Sequence, residues 1–315
     1  MSSHSKTRKW SYGGVLKLGL AVIAAYVMYV LVDWPQAWAS ISAAHPVWLV
    51  LGGLTALFVW GLDALRLYWM TPIDDLPFRT HLSLSLQSAF VMQFGFGVFS
   101  ADGYRVAGYA LKSGHVFKPA AHIVAARIAG FASVCLAAVV ATIWVMLSGE
   151  TAFYDTGKNI LKYVGLAGAV VAVLGLAALL VLGWVLRGRT LHRWLQEAIF
   201  ALRTITARVW GLSLFMVLVR AVSFYCILRS LDINVALYVP VLASAVATLS
   251  ALLPILGGVG VREGAFVGTT SLFGVDPALG ISAALLMRLV ILIAAGVGVF
   301  LSLFLGGTPR EKPMN

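Results

Sequence analysis

The sequence predicts an all-α polytopic membrane protein with about six full transmembrane helices and two re-entrant helical hairpins, arranged as an inverted repeat. Three observations predict it. The 315 residues are 61% hydrophobic and only 11% charged, with mean hydropathy +0.93, a balance foreign to a water-soluble domain of this length. Apolar stretches of the roughly 20 residues needed to span a bilayer recur from near residue 14 to residue 306. Two further apolar stretches are interrupted near their middles by glycines and charges, and the two superimpose on each other.

The segment MSSHSKTRKW is basic and precedes a long apolar run without a small-residue cleavage site, so the first span is expected to be retained. Full spans are predicted at 14–32, 47–70, 120–147, 163–186, 211–230 and 278–306. Residues 1–13 then form a basic N-terminus, 14–306 a single membrane domain and 307–315 a tail. The stretches 82–118 and 237–275 read differently, because FGFGVFSADGYR and PILGGVGVREG break them. In hydrocarbon a broken backbone is tolerated only where protein or water satisfies its polar groups, which points to hairpins or broken helices around a cavity.

Charge placement sets the orientation. With the N-terminus inside and both interrupted segments returning to their side of entry, the cytoplasmic stretches hold Lys6, Arg8, Lys9, Lys17, Arg79, Lys112, Lys118, Arg187, Arg189, Arg193, Arg203, Arg208, Arg310 and Lys312. The outer loops hold Lys158 and Lys162. This is the positive-inside pattern, with both termini cytoplasmic and the cell (inner) membrane as the expected location. An eight-span count, with each interrupted segment crossing twice, satisfies the same loop signs. The formal charge of +11 is accounted for by this topology, so no nucleic-acid partner is expected. The segment 190–210 alternates basic and apolar positions at helical spacing, as in a helix lying on the inner membrane face or a solvated loop helix.

A shift of 161 residues places Gly97 and Val98 on Gly258 and Val259, Asp102 and Gly103 on Glu263 and Gly264, and Arg127 on Arg288. Repeat 1 covers about 47–147 and repeat 2 about 211–306. By the topology above, one hairpin enters from the cytoplasm and the other from outside, the inverted arrangement of many transporters. Arginines in the middle of spans are costly, by about 2.5 to 3.5 kcal/mol on the insertion scale, and demand partners or a wet cavity. Asp102 and Glu263 are the expected partners of Arg127 and Arg288. Such pairs serve either to hold the hairpins in place or to contact a ligand as well.

Gly257, Gly258 and Gly260, followed by Arg262, would let backbone amides at the start of a half-helix approach an anion, with Arg262 and, in the first copy, Arg105 as cationic partners. Glycines of this kind also permit close helix packing. Arg66 is expected to snorkel toward the inner interface, and Arg220 to be a cavity group or a packing partner. Cys135 and Cys226 lie in apolar runs and read as small buried hydrophobes. The six histidines lack metal-ligand spacing, and no nucleophile elbow or P-loop is present, so no cofactor, metal or enzymatic activity is expected.

The pattern P-x-x-GG-x-G-x-RE at Pro254, Gly257, Gly258, Gly260, Arg262 and Glu263, followed by Gly274 and Arg288, resembles the transmembrane flippase-like domain of lysylphosphatidylglycerol synthases. The first half carries a degenerate form of the family's G-D/E-x-x-R at Asp102 and Arg105, with Ala101 in place of glycine and Ala126 where an acid usually precedes the arginine. The resemblance implies an inner-membrane protein with two re-entrant elements that translocates lipid. It also implies a standalone member without the soluble aminoacyl-transferase domain, because the sequence stops within about ten residues of the last span; such a chain would not aminoacylate lipid. The expected ligand is a membrane lipid with a phosphate-bearing or otherwise polar headgroup, with Arg262, Arg288 and Arg105 or Arg127 holding it. The alternatives are a non-transporting subunit that presents a lipid carrier to a biosynthetic partner enzyme, and an embedded headgroup transferase using Asp102 or Glu263 as base.

Overall fold

The computed structural model describes residues 35, 39, 41–70, 76–95, 97–147, 189–250 and 260–305, with side chains from residue 196 onward in the fourth of the longer stretches. Among these residues the chain is all helical: α1 (Pro46–Met70), α2 (Phe78–Phe94), α3 (Val98–Ser113), α4 (Phe117–Leu147), α5 (Arg189–Arg203), α6 (Ala207–Ser230), α7 (Tyr238–Ser250), α8 (Val261–Ser271) and α9 (Pro277–Leu305). The expected spans 14–32 and 163–186, the terminal segments 1–13 and 307–315, and Pro254, Gly257 and Gly258 lie outside the described residues.

Among the described residues four helices are long and apolar enough to cross a membrane: α1, α4, α6 and α9, of 25, 31, 24 and 29 residues. They match the spans expected at 47–70, 120–147, 211–230 and 278–306. Their ends follow local chemistry. Pro46 and Pro277 occupy first helical positions, where a missing N–H costs nothing. Asp276 caps α9, its Oδ1 accepting the N–H groups of Ala278 at 2.8 Å and Leu279 at 3.3 Å. Pro119 sits in the first turn of α4, so the helix starts earlier than expected, at Phe117.

The first interrupted stretch is a broken helix, and the second holds two short helices whose connection lies outside the described residues. The first yields α2 and α3, of 17 and 16 residues, separated at Gly95–Gly97, and the second contains α7 and α8, of 13 and 11 residues. At 1.5 Å per residue none of the four reaches the roughly 30 Å of a hydrocarbon core. Gly97 (φ 58°) and Gly260 (φ 84°) stand immediately before α3 and α8, in backbone conformations that residues with a Cβ rarely adopt. Within the first pair, Gly108 lets α3 lie against Leu84 of α2, since a Cβ there would meet Leu84 Cδ2 at 2.5 Å.

The segment expected as one amphipathic unit, 190–210, is divided. α5 stops at Arg203, Thr204–Thr206 form a turn, and α6 begins at Ala207. The hydroxyl of Thr204 donates to the carbonyl of Ala201 at 2.6 Å, ending α5 in place of the next helical N–H bond.

Two apolar clusters mark opposite ends of the bundle. One gathers Leu67 and Met70 of α1, Ala121 and Ala125 of α4 and Val209 of α6. The other gathers Phe224 and Leu228 of α6, Phe266 of α8 and Ala283 and Met287 of α9. α6 runs from the first to the second, so its midpoint, near Arg220, lies between them.

Candidate functional site

Ionisable side chains collect between these clusters. Asp63 and Arg66 lie one turn apart on α1 and pair with each other, and Arg105 of α3 reaches the same carboxylate, its Nη1 lying 2.6 Å from Asp63 Oδ2. All three are at least nine-tenths buried. Serines complete the shell. Arg105 Nε donates to Ser88 Oγ at 2.6 Å and Nη2 to Ser85 Oγ at 3.1 Å, both on α2, and Arg66 Nη1 donates to Ser213 Oγ of α6 at 3.3 Å. The Nε of Arg66 is buried without a hydrogen-bond partner.

The expected acid–arginine pairs form in both halves. Arg127 of α4 makes a two-pronged contact with Asp102 of α3, with Nε at 2.8 Å from Oδ2 and Nη2 at 2.7 Å from Oδ1. Arg288 of α9 donates from Nη1 to Glu263 Oε1 of α8 at 2.7 Å. Each contact joins residues 25 apart in sequence and ties the short helix after a glycine break to a long apolar one. Arg127 is the tenth residue after the start of α4 and Arg288 the eleventh after the start of α9, a rise of about 15 to 17 Å in each case. The second pair is made through one guanidinium nitrogen where the first is two-pronged, and Glu263 Oε2 also accepts the N–H of Gly260 at 2.9 Å. The Gly260 amide, expected to face a ligand, is therefore engaged by the chain's own carboxylate.

A cavity of about 100 Å³ opens onto this polar shell. Its charged lining is Asp63, Arg66, Arg105, Arg127 and Arg220, and its hydroxyl lining Ser88, Ser213 and Thr248. Arg220 of α6 donates to Thr248 Oγ1 of α7 at 3.1 Å and forms no salt bridge among the described residues. Among the described residues the four guanidinium groups face two carboxylates, Asp63 and the Asp102 bound to Arg127, a surplus of two positive charges around the cavity. Arg262, Glu263 and Arg288 do not line it.

Profile comparison covers most of the chain: residues 15–298 match the family described as the lysylphosphatidylglycerol synthase TM region. The chain belongs to this family. No curated protein matches it closely enough to count as a relative. For a member of this synthase TM family, the sequence-level expectations stand as follows. Asp102, Arg105 and Arg127 come together with the cavity, and Glu263 and Arg288 form the second pair with Arg262 and Gly260 beside it. Arg66 does not snorkel toward an interface: it is 4% exposed, because Asp63 one turn earlier and Ser213 supply the polar contacts that hold its charge in the interior. Asp63, Arg66 and Arg220 belong to the site although the repeat did not single them out. Their signal was ionisable character inside apolar spans, which by itself marks a functional position in a membrane protein.

Proposed function

We propose that this integral membrane protein is a non-enzymatic lipid translocase that moves a lipid with an anionic or polar headgroup between leaflets by alternating access. The observation that carries this reading is the matched geometry of Asp102–Arg127 and Glu263–Arg288, two buried or half-buried ion pairs at equal sequence spacing and at helix depths that differ by one residue. In the positive-inside orientation α4 and α9 start from opposite membrane faces, so the two pairs lie at mirrored depths and α2–α3 and α7–α8 act as re-entrant elements of an inverted repeat. Both termini are then cytoplasmic and the membrane is the inner one. Two similar units of opposite sense give inward-open and outward-open states of similar energy, which a ligand shifts through its preference for one of them.

The headgroup replaces carboxylates. With the cavity empty, Asp102 and Glu263 neutralise Arg127 and Arg288; an arriving anionic group competes for the same guanidinium forks, while the acyl chains stay in lipid. Release restores each internal pair and resets the unit. Membership of a family described by lysylphosphatidylglycerol synthesis supports a lipid as cargo, and the positive surplus around the cavity supports an anionic one.

Reconstitution of the full chain in vesicles containing labelled anionic phospholipid tests the reading. Protein should increase the fraction of label reached by a membrane-impermeant quencher, and Glu263→Gln or Arg288→Gln should abolish most of that gain. Equal accessibility with and without protein, across several anionic lipids, would overturn it. A subunit that only presents a lipid to a partner enzyme would show that equality while retaining lipid after purification, and a headgroup transferase would alter the mass of the lipid.

A further inference from the structure

The positive surplus around the cavity calls for a counter-ion. Arg220 and Arg127 are partly buried, and charge left without compensation in such a partly desolvated site is costly. Among the described residues no carboxylate approaches Arg220 within salt-bridge distance, and its hydrogen-bond partner there is Thr248. Thr248 Oγ1 itself donates to the carbonyl of Ser244 at 2.6 Å, which directs its lone pair to the guanidinium. A guanidinium has five N–H donors, so four on Arg220 remain available. Arg66 adds its buried, unpartnered Nε. Arg127 engages Asp102 through Nε and Nη2 and keeps Nη1. By contrast Arg105 is spoken for, with Asp63, Ser85 and Ser88 taking all three of its nitrogens.

We propose that this cavity is a site for one phosphate-type oxyanion, gripped by Arg220 and Arg127 beside the Asp63-clamped Arg66. Tetrahedral oxyanions match forked donors from several directions, and charge-assisted bonds of this type are among the strongest available to side chains. The volume of about 100 Å³ accommodates a single such group. Asp63 has a defined part: it holds Arg66 and Arg105 in place while leaving the site net positive, so a dianionic or monoanionic group completes the balance. The oxyanion is either the phosphate of a lipid headgroup or free phosphate. The inference deepens the translocase reading, and its lipid form rests on that reading.

The experiment uses full-length chain purified in detergent and stripped of lipid, with thermal unfolding followed during titration. Three probes are compared: inorganic phosphate, dioctanoyl phosphatidylglycerol and dioctanoylglycerol, which shares the tails but lacks phosphate. The phosphate-bearing probes should raise the unfolding midpoint saturably and dioctanoylglycerol should not. In Arg220→Gln the half-saturating concentration should rise by about tenfold or more, the loss of one charge-assisted contact pair. The same variant without anion should melt no lower than the parent, because it carries one fewer uncompensated charge; Arg203→Gln on α5 should behave as the parent in every arm. Unchanged half-saturation in Arg220→Gln would overturn the site, as would a variant that melts lower at every concentration with an undiminished anion response. Saturation by inorganic phosphate without saturation by the lipid supports the oxyanion site and sinks lipid transport. A positive leaflet assay that Arg220→Gln leaves intact sinks the site and spares the transport reading.

Discussion

Asp63→Asn is the most discriminating single change in the first half. The Asp63 carboxylate binds two guanidinium groups at once, and the three side chains are 7%, 4% and 5% exposed for Asp63, Arg66 and Arg105. Two unit charges about 4 Å apart attract by about 4 kcal/mol at an effective dielectric near 20. Removing one member of a buried pair typically costs about 3 to 5 kcal/mol, because the partner is left charged and dry. Asparagine keeps one carbonyl acceptor, which places the expected loss near the lower end, about 3 kcal/mol. For a chain of this length roughly 2 °C of unfolding temperature accompany each kcal/mol, giving a drop of about 6 °C.

Asp102→Asn provides the comparison, because Asp102 and Arg127 are 21% and 27% exposed and solvent screening limits the loss to about 1 kcal/mol. The assay is thermal unfolding of the purified full-length chain in one detergent, read as the fraction remaining monodisperse. Adding Arg105→Gln to Asp63→Asn removes one of the two stranded charges and should recover part of the loss, so the pair is non-additive. Equal drops for the two single variants, or strict additivity in the double variant, would refute the claim that Asp63 compensates two cations in a dry interior.

Other substitutions probe the same architecture. Gly130→Ala places a Cβ 2.9 Å from Arg66 Nη1, and because Asp63 and Ser213 hold that guanidinium in place, the expected result is weaker retention of anionic lipid by the purified protein. Gly211→Ala, with nothing within 4 Å of its new Cβ, serves as its control and should gain about 0.5 to 1 kcal/mol in unfolding stability from helix propensity. Gly260→Ala forces a side chain onto φ 84°, so a loss of about 1 to 3 kcal/mol in unfolding stability is expected, together with lower leaflet transport.

The sequence made some of this architecture plain and concealed the rest for identifiable reasons. Arg127 and Arg288 announced themselves because a cation inside an apolar run demands a partner, and the acid–glycine pairs 25 residues earlier supplied one in each half. The helix breaks were legible because Gly97 and Gly260 permit conformations that other residues resist. Arg66 was misplaced because its charge is held jointly by Asp63 of its own helix and Ser213 of α6, while Arg105 of α3 shares the same carboxylate as a second cation. No local pattern encodes that convergence. The Thr204–Thr206 turn was missed because the amphipathic period runs through it, while the helix ends on a hydroxyl-to-carbonyl bond. Arg220 was undecided between packing and cavity because its place on the cavity wall depends on how α6 packs against α7.

The two acid–arginine pairs are not equivalent, and the difference assigns them different work. Glu263 is the third residue of α8 and binds both Arg288 and the Gly260 N–H, so its charge stays stabilised by the helix start even when Arg288 leaves. Asp102 is the fifth residue of α3, past the first turn, where Ser100 bonds the Gly97 carbonyl and no described backbone amide contacts the acid. Opening Asp102–Arg127 would therefore leave that carboxylate without a protein partner among the described residues, whereas Glu263 keeps one. Glu263→Asp isolates this difference, since the shorter side chain reaches either the Gly260 amide or Arg288 but not both. If the capped acid is what lets the second pair open, that variant should retain the fold and lose leaflet transport, while Asp102→Glu, which has no amide to forfeit, should keep at least part of it. Equal transport by the two variants would mean that the cap is structural alone and that both pairs open by the same route.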